Sequence, residues 1–434
     1  MLYSIKRYSK IILVLIAVLS HVLVISALEP EDLLAPTIGP VVVLPSAALS
    51  IGYVDNVFLF SDDSNKIDDY ITTLSPKISF QYGENFLDSN YVGLNYSPNF
   101  QWYSENNELN SDNHALGFAI NYNKEGKFLF TGSDQISFDN TLLTGGERSF
   151  YYSNTNGAQD DELGLLVERL STNDQYRFEY TLSPKTSFYL ATAYDLVDYA
   201  SEPHYYSKTV FGDLIPTSLY DVSNWENTVG FGWQALTKIK FYGSLFYGNT
   251  HVDKNLDSMG SPPDSNFQGG HLSAVANFSD KFNFKLQVGY QTRDFDARGD
   301  TQKSQNLVIF DTEIEYKYSN KGDVSFAYSR GGEVSIFDPN TAVKSDILTL
   351  SINQNLGTRD KLSLVSNSIF SLNSFENREA LKNRFFRVDA GLAYRFNEWM
   401  STGLSYGIDF FDSSYQGNVD YNVNKVMFVF SVGY

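Results

Sequence analysis

Hydrophobic and polar positions alternate one by one along most of the chain. Large apolar side chains recur at every second position, with small or polar residues between them, in runs such as Val92–Trp102, Leu116–Tyr122, Phe284–Tyr290 and Leu404–Phe410. A period of two predicts β-strands with one apolar face, whereas a helix would repeat about every 3.6 residues. No comparable stretch after residue 27 has helical periodicity. The pattern therefore predicts an all-β fold.

Two kinds of polar link separate the predicted strands. Short turns recur as LSPKTS, LTKIKF, FSDKFN, YSNKGD, LGTRDK and FNEWMS, and from Phe278 onward they are about 40 residues apart. Longer acidic links lie between them, for example at residues 61–69, 104–112 and 251–266. A soluble propeller repeats at a similar spacing, but it places four short strands in each repeat, whereas two long strands are visible here. Short turns at one end and long acidic extracellular loops at the other are typical of an outer-membrane barrel.

The segments from Ala48 to Tyr434 predict a closed antiparallel transmembrane β-barrel of about 18 strands, within a range of 16–18. In hydrocarbon every backbone N–H and C=O must be paired, so a sheet crosses a bilayer only when it is closed. An even strand number brings both ends to the short-turn, periplasmic side. Asn140–Thr172 shows the weakest alternation. The predicted strands begin near residues 48, 70, 89, 111, 127, 172, 186, 223, 239, 267, 282, 304, 322, 345, 361, 384, 400 and 420.

The N-terminal residues follow a different pattern. Lys6, Arg7 and Lys10 precede an apolar run at residues 11–27 that ends in Ser-Ala. This arrangement predicts a signal peptide over residues 1–27, cleaved after Ala27, with a permanent membrane anchor as the alternative. Residues 28–47 hold four of the twelve prolines, which predicts an extended segment outside the sheet. We interpret it as a periplasmic leader, or alternatively as a short plug in the lumen, and the barrel is predicted over residues 48–434.

Composition narrows the functional classes. The formal net charge of −19 argues against a nucleic-acid partner, because phosphate contacts need clustered Lys and Arg. The chain has no cysteine, and its five histidines are scattered without metal-ligand spacing. We therefore predict no metal, no cofactor and no enzymatic activity. A barrel hydrolase built on His271 and Ser273, which share one strand face, is the weaker alternative.

The chain ends on an alternating strand. Val426, Phe428, Phe430, Val432 and Tyr434 form its apolar face, where a frayed polar tail is the ordinary expectation for a terminus. The strand predicts the closing segment of the barrel. We interpret Phe428, Phe430 and Tyr434 as the signal read by the outer-membrane assembly machinery.

The first predicted hairpin resembles a known family. The stretch SIGYVDNVFLFSDDSNKIDDYITTLSP carries Gly52-Tyr53, Asp55-Asn56-Val57 and Leu74-Ser75-Pro76. It is similar to the start of the beta-barrel porin 2-like family of outer-membrane β-barrel porins of Gram-negative bacteria, and the resemblance continues as repeated hairpins to the C-terminus. The resemblance implies an outer-membrane channel, sometimes associated with exopolysaccharide export, and no catalytic residues accompany its motifs.

A barrel of this size encloses an aqueous channel, so inward-facing charges are candidates for the pore lining. Mixed signs predict a general channel for small polar solutes with a weak preference for cations; the alternative is that these charges only pair and fill space. By alternation the inward set is Arg177, Glu179, Lys285, Arg293, Asp311, Glu313, Glu315, Lys317, Arg387, Asp389 and Arg395.

The function predicted from these observations is passive diffusion of small polar solutes through the outer membrane. A structural or adhesive barrel that acts through its loops is one alternative, and an exopolysaccharide export conduit is another. The predicted partners are outer-membrane lipid and lipopolysaccharide, the assembly machinery and small polar solutes, without nucleic acid.

Overall fold

In a computed structural model, strands account for almost all of the regular structure of the described residues. The structure describes residues 35–59, 66–83, 90–142, 166–199, 205–208, 214–217, 221–253, 264–295, 304–334, 342–357, 360–375, 382–414 and 420–433. The predicted signal peptide, the first seven residues of the predicted leader and Tyr434 lie outside these ranges.

The described residues form 21 strands and one three-residue 3-10 helix, Asn107–Leu109. No described helix is long and apolar enough to cross a membrane. The strands in chain order are β1 (Thr37–Ile38), β2 (Val41–Val54), β3 (Asp69–Tyr82), β4 (Tyr91–Tyr103), β5 (Ser111–Lys124), β6 (Phe128–Leu142), β7 (Leu166–Ser183), β8 (Thr186–Tyr199), β9 (Tyr205–Lys208), β10 (Leu214–Thr217), β11 (Asp221–Leu236), β12 (Ile239–Asp253), β13 (Ser265–Ser279), β14 (Phe282–Phe295), β15 (Ser304–Ser319), β16 (Gly322–Val334), β17 (Ala342–Leu356), β18 (Leu362–Phe375), β19 (Lys382–Arg395), β20 (Met400–Ser413) and β21 (Tyr421–Gly433).

Eighteen of these strands, β2–β8 and β11–β21, make one closed antiparallel barrel. Each strand pairs with the next, and β8 pairs with β11, so that β9 and β10 form a separate two-stranded ribbon between them. The barrel closes where β2 pairs with β21, from Ser46 opposite Gly433 to Val54 opposite Lys425. The predicted fold and strand number are confirmed.

The first barrel strand begins earlier than predicted. β2 starts at Val41 and pairs with β3 from that residue onward, so residues 41–47 belong to the sheet and not to an extended leader. The run Val41–Leu44 is apolar at every position, which hides the two-residue period. Pro45 precedes the first residue paired with β21. Pro45 is therefore paired with β3 but not with β21. A proline is tolerated at such an open edge, because it has no backbone N–H to donate to a neighbouring strand.

The two faces of the wall differ in chemistry. Most of the large apolar side chains that remain accessible on the isolated chain lie on one face, and Leu272 is 73% exposed there. Paired residues of neighbouring strands share a face, so the register extends this outward face around the barrel. Hydrocarbon is the natural environment for such a surface, as the alternation predicted.

Aromatic side chains mark the two borders of the outward face. On β11, Trp225 lies toward the loop end and Trp233 toward the short-turn end, and both are exposed. Eight strand residues tilted by roughly 40° span about 20 Å along the barrel axis. This separation fits the apolar band of a transmembrane barrel, which is about 25 Å tall.

The short turns have a local cause in the sequence. Three of them share a Ser-x-Lys motif, in which the serine hydroxyl accepts the lysine backbone N–H: Ser183 from Lys185 at 3.2 Å, Ser279 from Lys281 at 3.2 Å, and Ser319 from Lys321 at 3.1 Å. Serine favours turns because its hydroxyl offers the backbone such a local bond. These turns lie at the end of the barrel where β2 begins and β21 ends, which is the periplasmic end in single-chain bacterial barrels.

Candidate pore lining

The ladder register determines which strand residues face the lumen. Alternate residues of a strand lie on opposite sides of the wall, and paired residues lie on the same side. Starting from the outward Leu272, the pairings put all eleven predicted pore-lining residues on the inner side. These are Arg177 and Glu179 on β7, Lys285 and Arg293 on β14, Asp311, Glu313, Glu315 and Lys317 on β15, and Arg387, Asp389 and Arg395 on β19. Their role in permeation stays a prediction.

Arg177 and Glu179 belong to a cluster that extends over four strands. The Glu179 carboxylate accepts hydrogen bonds from Arg177 Nη2 at 2.8 Å and from Lys240 Nζ at 2.6 Å. Only 9% of the Glu179 side chain is exposed, whereas both cations are more accessible. One carboxylate therefore holds two cations, and the group keeps a net positive charge.

Tyrosine rings support both cations. The Arg177 guanidinium lies 3.7 Å from the ring centroid of Tyr189, and Lys240 Nζ lies 4.8 Å from that of Tyr242. Such contacts are attractive because the ring face carries negative charge. We name Arg177, Glu179, Tyr189, Lys240 and Tyr242 the tyrosine–charge cluster.

Two glycines let the tyrosine–charge cluster bridge β7 and β12. Gly230 and Gly232 lie on the inner face of β11, between β8 and β12. A Cβ at Gly230 would overlap the Tyr189 ring, and one at Gly232 would lie 2.6 Å from the Ser187 hydroxyl. Sequence reasoning missed Lys240, although alternation along β12 places it inward, because no pattern showed which strands the side chains would cross.

A second charged group lies beside the closure of the barrel. The Asp409 carboxylate accepts two bonds from the Arg387 guanidinium, both at 2.7 Å, and one from Lys425 Nζ at 2.8 Å. These residues are on the adjacent strands β19, β20 and β21. Of the three, the sequence singled out only Arg387.

Above this group, toward the extracellular end, the inner wall is apolar and buried. Seven side chains pack together there: Val54, Val57, Ile71, Leu109, Phe411, Tyr421 and Val423. Val423 is 0% exposed, and the rings of Phe411 and Tyr421 stack with centroids 5.3 Å apart. We name these residues the seam cluster, because four of them lie on the closing strands β2 and β21 or directly after β2.

The Asp-Asn-Val motif after β2 fastens the seam cluster to the last strand. Asp55 accepts bonds from the backbone N–H of Asn424 at 2.7 Å and from its side-chain amide at 2.6 Å. Asn56 donates to the backbone carbonyl of Asn422 at 3.1 Å. Val57 then packs into the cluster. The motif that carried the family resemblance thus joins residues 369 positions apart.

The remaining predicted residues differ in accessibility. Arg293 is buried against the wall, where it donates to Thr250 Oγ1 at 2.7 Å and to Ser265 Oγ at 2.8 Å. The acidic run on β15 is more open: Glu313 lies opposite Lys285 in the ladder, and Glu315 accepts a bond from Asn283 at 3.0 Å. The run therefore offers carboxylates to the lumen, while Arg293 stabilises the wall.

Within the described ranges, His271 Nε2 has no hydrogen-bond partner. Its ring stacks on Phe246 with centroids 4.5 Å apart, and Ser273 lies one inward step away on β13. No group of three or more His, Asp or Glu side chains within the described ranges could hold a metal ion.

A closed antiparallel barrel of 18 strands, apolar outside and polar over much of its inner face, defines a porin-like protein of the outer membrane. Residues 206–432, just over half of the chain, match the family described as "Putative beta-barrel porin 2". The chain belongs to this family, as its first hairpin indicated. No protein of curated function matches the sequence.

Several solved outer-membrane proteins are similar in structure at low sequence identity. OpdK of Pseudomonas aeruginosa, solved with vanillate, is 9% identical, with 90% of this chain and 98% of that chain covered at a TM-score of 0.42. OpdQ of the same organism is 10% identical, with coverages of 91% and 98% and a TM-score of 0.43. The FrpB iron transporter of Neisseria meningitidis (F3-3 variant) is 10% identical with a TM-score of 0.44, and 89% of this chain spans only 64% of its length.

Proposed function

We propose that this porin-like barrel is a general channel with a weak preference for cations, through which small polar solutes diffuse passively. The observation that carries the proposal is the polar inner wall of an 18-strand barrel, since barrels of this size leave an aqueous channel. Carboxylates and cations both face the lumen, as in Asp311 and Lys285. A lumen of mixed charge favours polar solutes without strong selection by sign.

The proposed weak cation preference rests on a row of carboxylates on the inner face of β15. Glu313 and Glu315 are exposed to the lumen and Asp311 is half-buried in the same row, whereas the cations of the tyrosine–charge cluster share the Glu179 carboxylate. The acidic extracellular links add negative charge at the entrance. A negative field along the path concentrates cations.

Two measurements on the purified barrel test this function. Liposome swelling with sugars of graded size is expected to show permeation that falls with solute size. Planar bilayers in a KCl gradient are expected to give a reversal potential for cation preference, reduced in Asp311→Asn/Glu313→Gln/Glu315→Gln. Asp294→Asn, which removes a carboxylate from the outer face, serves as the control. An anion-selective wild type, or no swelling with any sugar, contradicts the proposal.

The last strand also supports a role in assembly. Phe428 and Phe430 lie on the outward face of β21, where a receptor can contact them before the barrel is inserted. We assign these residues and Tyr434 to the signal read by the assembly machinery. Phe428→Ala/Phe430→Ala is expected to lower the amount of folded barrel in the outer membrane, whereas the inward Val429→Ala is not. Equal amounts for both variants contradict the assignment.

The chain is also proposed to have no enzymatic activity. His271 stacks on Phe246, and no described hydroxyl is hydrogen-bonded to its Nε2 in the way that nucleophilic hydrolysis needs. A lipid or ester hydrolysis assay is expected to give no turnover above background, and turnover that is lost in His271→Ala contradicts this expectation.

A further inference from the structure

The outward face of the barrel carries its charges unevenly near the extracellular end. On the extracellular halves of the barrel strands, the described outward Lys and Arg side chains fall on β16, β17 and β19: Arg330, Lys344, Lys382 and Arg384. On β5–β14 the corresponding positions carry acids, namely Asp112, Glu168, Asp198, Asp221 and Asp294. In a chain of net charge −19, one sector of the wall is therefore basic.

The register places the four cations in two adjacent rows, which we name the basic outer patch. In the upper row, Lys344 and Lys382 both pair with Ser374 of β18, one from each side. Two strand spacings separate their Cα atoms, which is about 10 Å. In the lower row, Asp346 and Arg384 flank Leu372 in the same way, and Arg330 pairs with Asp346.

The height of the patch matches the lipid headgroups. Directly below the lower row, on the same strands, lie the outward rings of Tyr328, Phe370 and Phe386. Aromatic girdles mark the interface between hydrocarbon and headgroups in outer-membrane barrels. The cations thus begin where the apolar band ends, at the level of the lipid phosphates.

The two carboxylates of the patch form direct ion pairs only with its lower row. Arg330 donates to Asp346 at 2.5 Å, and Tyr328 Oη donates to the same carboxylate at 2.6 Å. Arg384 lies 3.2 Å from Asp412, and both side chains are largely exposed. Neither Lys344 nor Lys382 forms an ion pair with any described carboxylate. Lys344 also interacts electrostatically with Asp346, but that carboxylate is already paired with Arg330. The four cations of the patch therefore face two carboxylates, and the upper row adds two positive charges about 10 Å apart.

We propose that the basic outer patch binds the phosphate groups of lipopolysaccharide in the outer leaflet directly, without a bridging divalent cation. A phosphorylated glycolipid fits both features of the site, since its acyl chains would cover the aromatic rings and its phosphates would reach the lysines. The acidic sectors repel the same phosphates and need divalent ions between them. The proposal rests on the outer-membrane location of the barrel and not on the solute it conducts.

The test measures lipopolysaccharide retention by the full-length barrel in detergent. The purified protein is incubated with lipopolysaccharide, washed with EDTA, and the bound glycolipid is quantified. The wild type is expected to retain at least threefold more lipopolysaccharide than dephosphorylated lipopolysaccharide. Lys344→Gln/Lys382→Gln is expected to lose that difference, and the outward acidic-sector variant Asp198→Asn/Asp294→Asn is expected to keep it.

Folding and conductance are measured on the same samples. All variants are expected to migrate as folded barrels on unheated gels and to conduct like the wild type. Equal retention by the wild type and Lys344→Gln/Lys382→Gln overturns the proposal, and so does equal retention of the two glycolipids by the wild type. Since conductance is scored separately, loss of the patch and failure of the channel function are distinguishable.

Discussion

Two regions of the inner wall of the barrel differ in how their side chains are packed. The seam cluster near the closing strands is packed and apolar, with Val423 fully buried among aromatic and aliphatic neighbours. The tyrosine–charge cluster on β7–β12 is polar and half accessible, with one carboxylate shared by two cations. The first region resembles the core of a soluble protein, and the second resembles a solvated binding surface.

The difference follows from where the chain has to be held together. The other neighbouring barrel strands follow one another along the chain, with only the β9–β10 ribbon between β8 and β11, so a connecting segment already keeps each pair close. β2 and β21 are instead the first and last strands of the barrel, and only side chains and ladder bonds keep them together. Apolar packing supplies that stabilisation because it needs no sequence proximity. The inner wall is therefore apolar and packed at the seam, and it is polar over much of the remaining barrel, as a channel requires.

Phe411→Ala is the strongest way to break the packed region. Phe411 is buried against Tyr421 at the seam, and a Phe→Ala change in such a site costs about 3–5 kcal/mol, because it leaves a cavity. We expect a lower urea midpoint for unfolding in lipid vesicles, and a smaller folded fraction on unheated gels. Phe410→Ala is the matched control. The Phe410 ring faces outward, and its centroid lies 6.3 Å from that of the Phe386 ring. Equal destabilisation by both variants contradicts a packed seam.

Sequence patterns predicted the strands well because alternation and turns are local. Seven of the barrel strands begin at the predicted residue, among them β5 at Ser111, β8 at Thr186 and β20 at Met400. The faces of the inward charges follow from the same period of two. The start of β2 was predicted wrongly, since its first four residues are all apolar and carry no alternation.

Contacts between distant strands could not be predicted in this way. Asn422 and Asn424 have ordinary strand positions in the sequence, and only the closed barrel brings them to Asp55 and Asn56. Lys240 reaches Glu179 across two strands because Gly230 and Gly232 leave room for the side chains between them. Alternation reveals the face of each residue, but not which side chains cross a neighbouring strand.

Gly230→Ala tests that glycine gap. The added Cβ would overlap the Tyr189 ring and push it from the Arg177 guanidinium, which we expect to cost about 1–3 kcal/mol, as overpacking does. Gly243→Ala is the control on the adjacent strand, because its Cβ would point outward and lie 3.7 Å from Leu272, an ordinary contact. Urea unfolding of both variants measures the difference. A Gly230→Ala barrel as stable as Gly243→Ala would show that the ring has room to move.

Glu179→Gln has the smallest expected effect on stability. It tests most directly whether the tyrosine–charge cluster, unlike the seam cluster, faces the ion path. The amide cannot neutralise Arg177 and Lys240, but both cations keep their tyrosine rings and reach water, so we expect a loss of about 0.5–1.5 kcal/mol. Two unbalanced cations in the lumen should move the reversal potential in a KCl gradient toward anions. Glu179→Gln/Lys240→Met restores the net charge of the cluster and should return the reversal potential to that of the wild type. If the single variant leaves the potential unchanged, the tyrosine–charge cluster lies outside the ion path and belongs, like the seam cluster, to the structure of the wall.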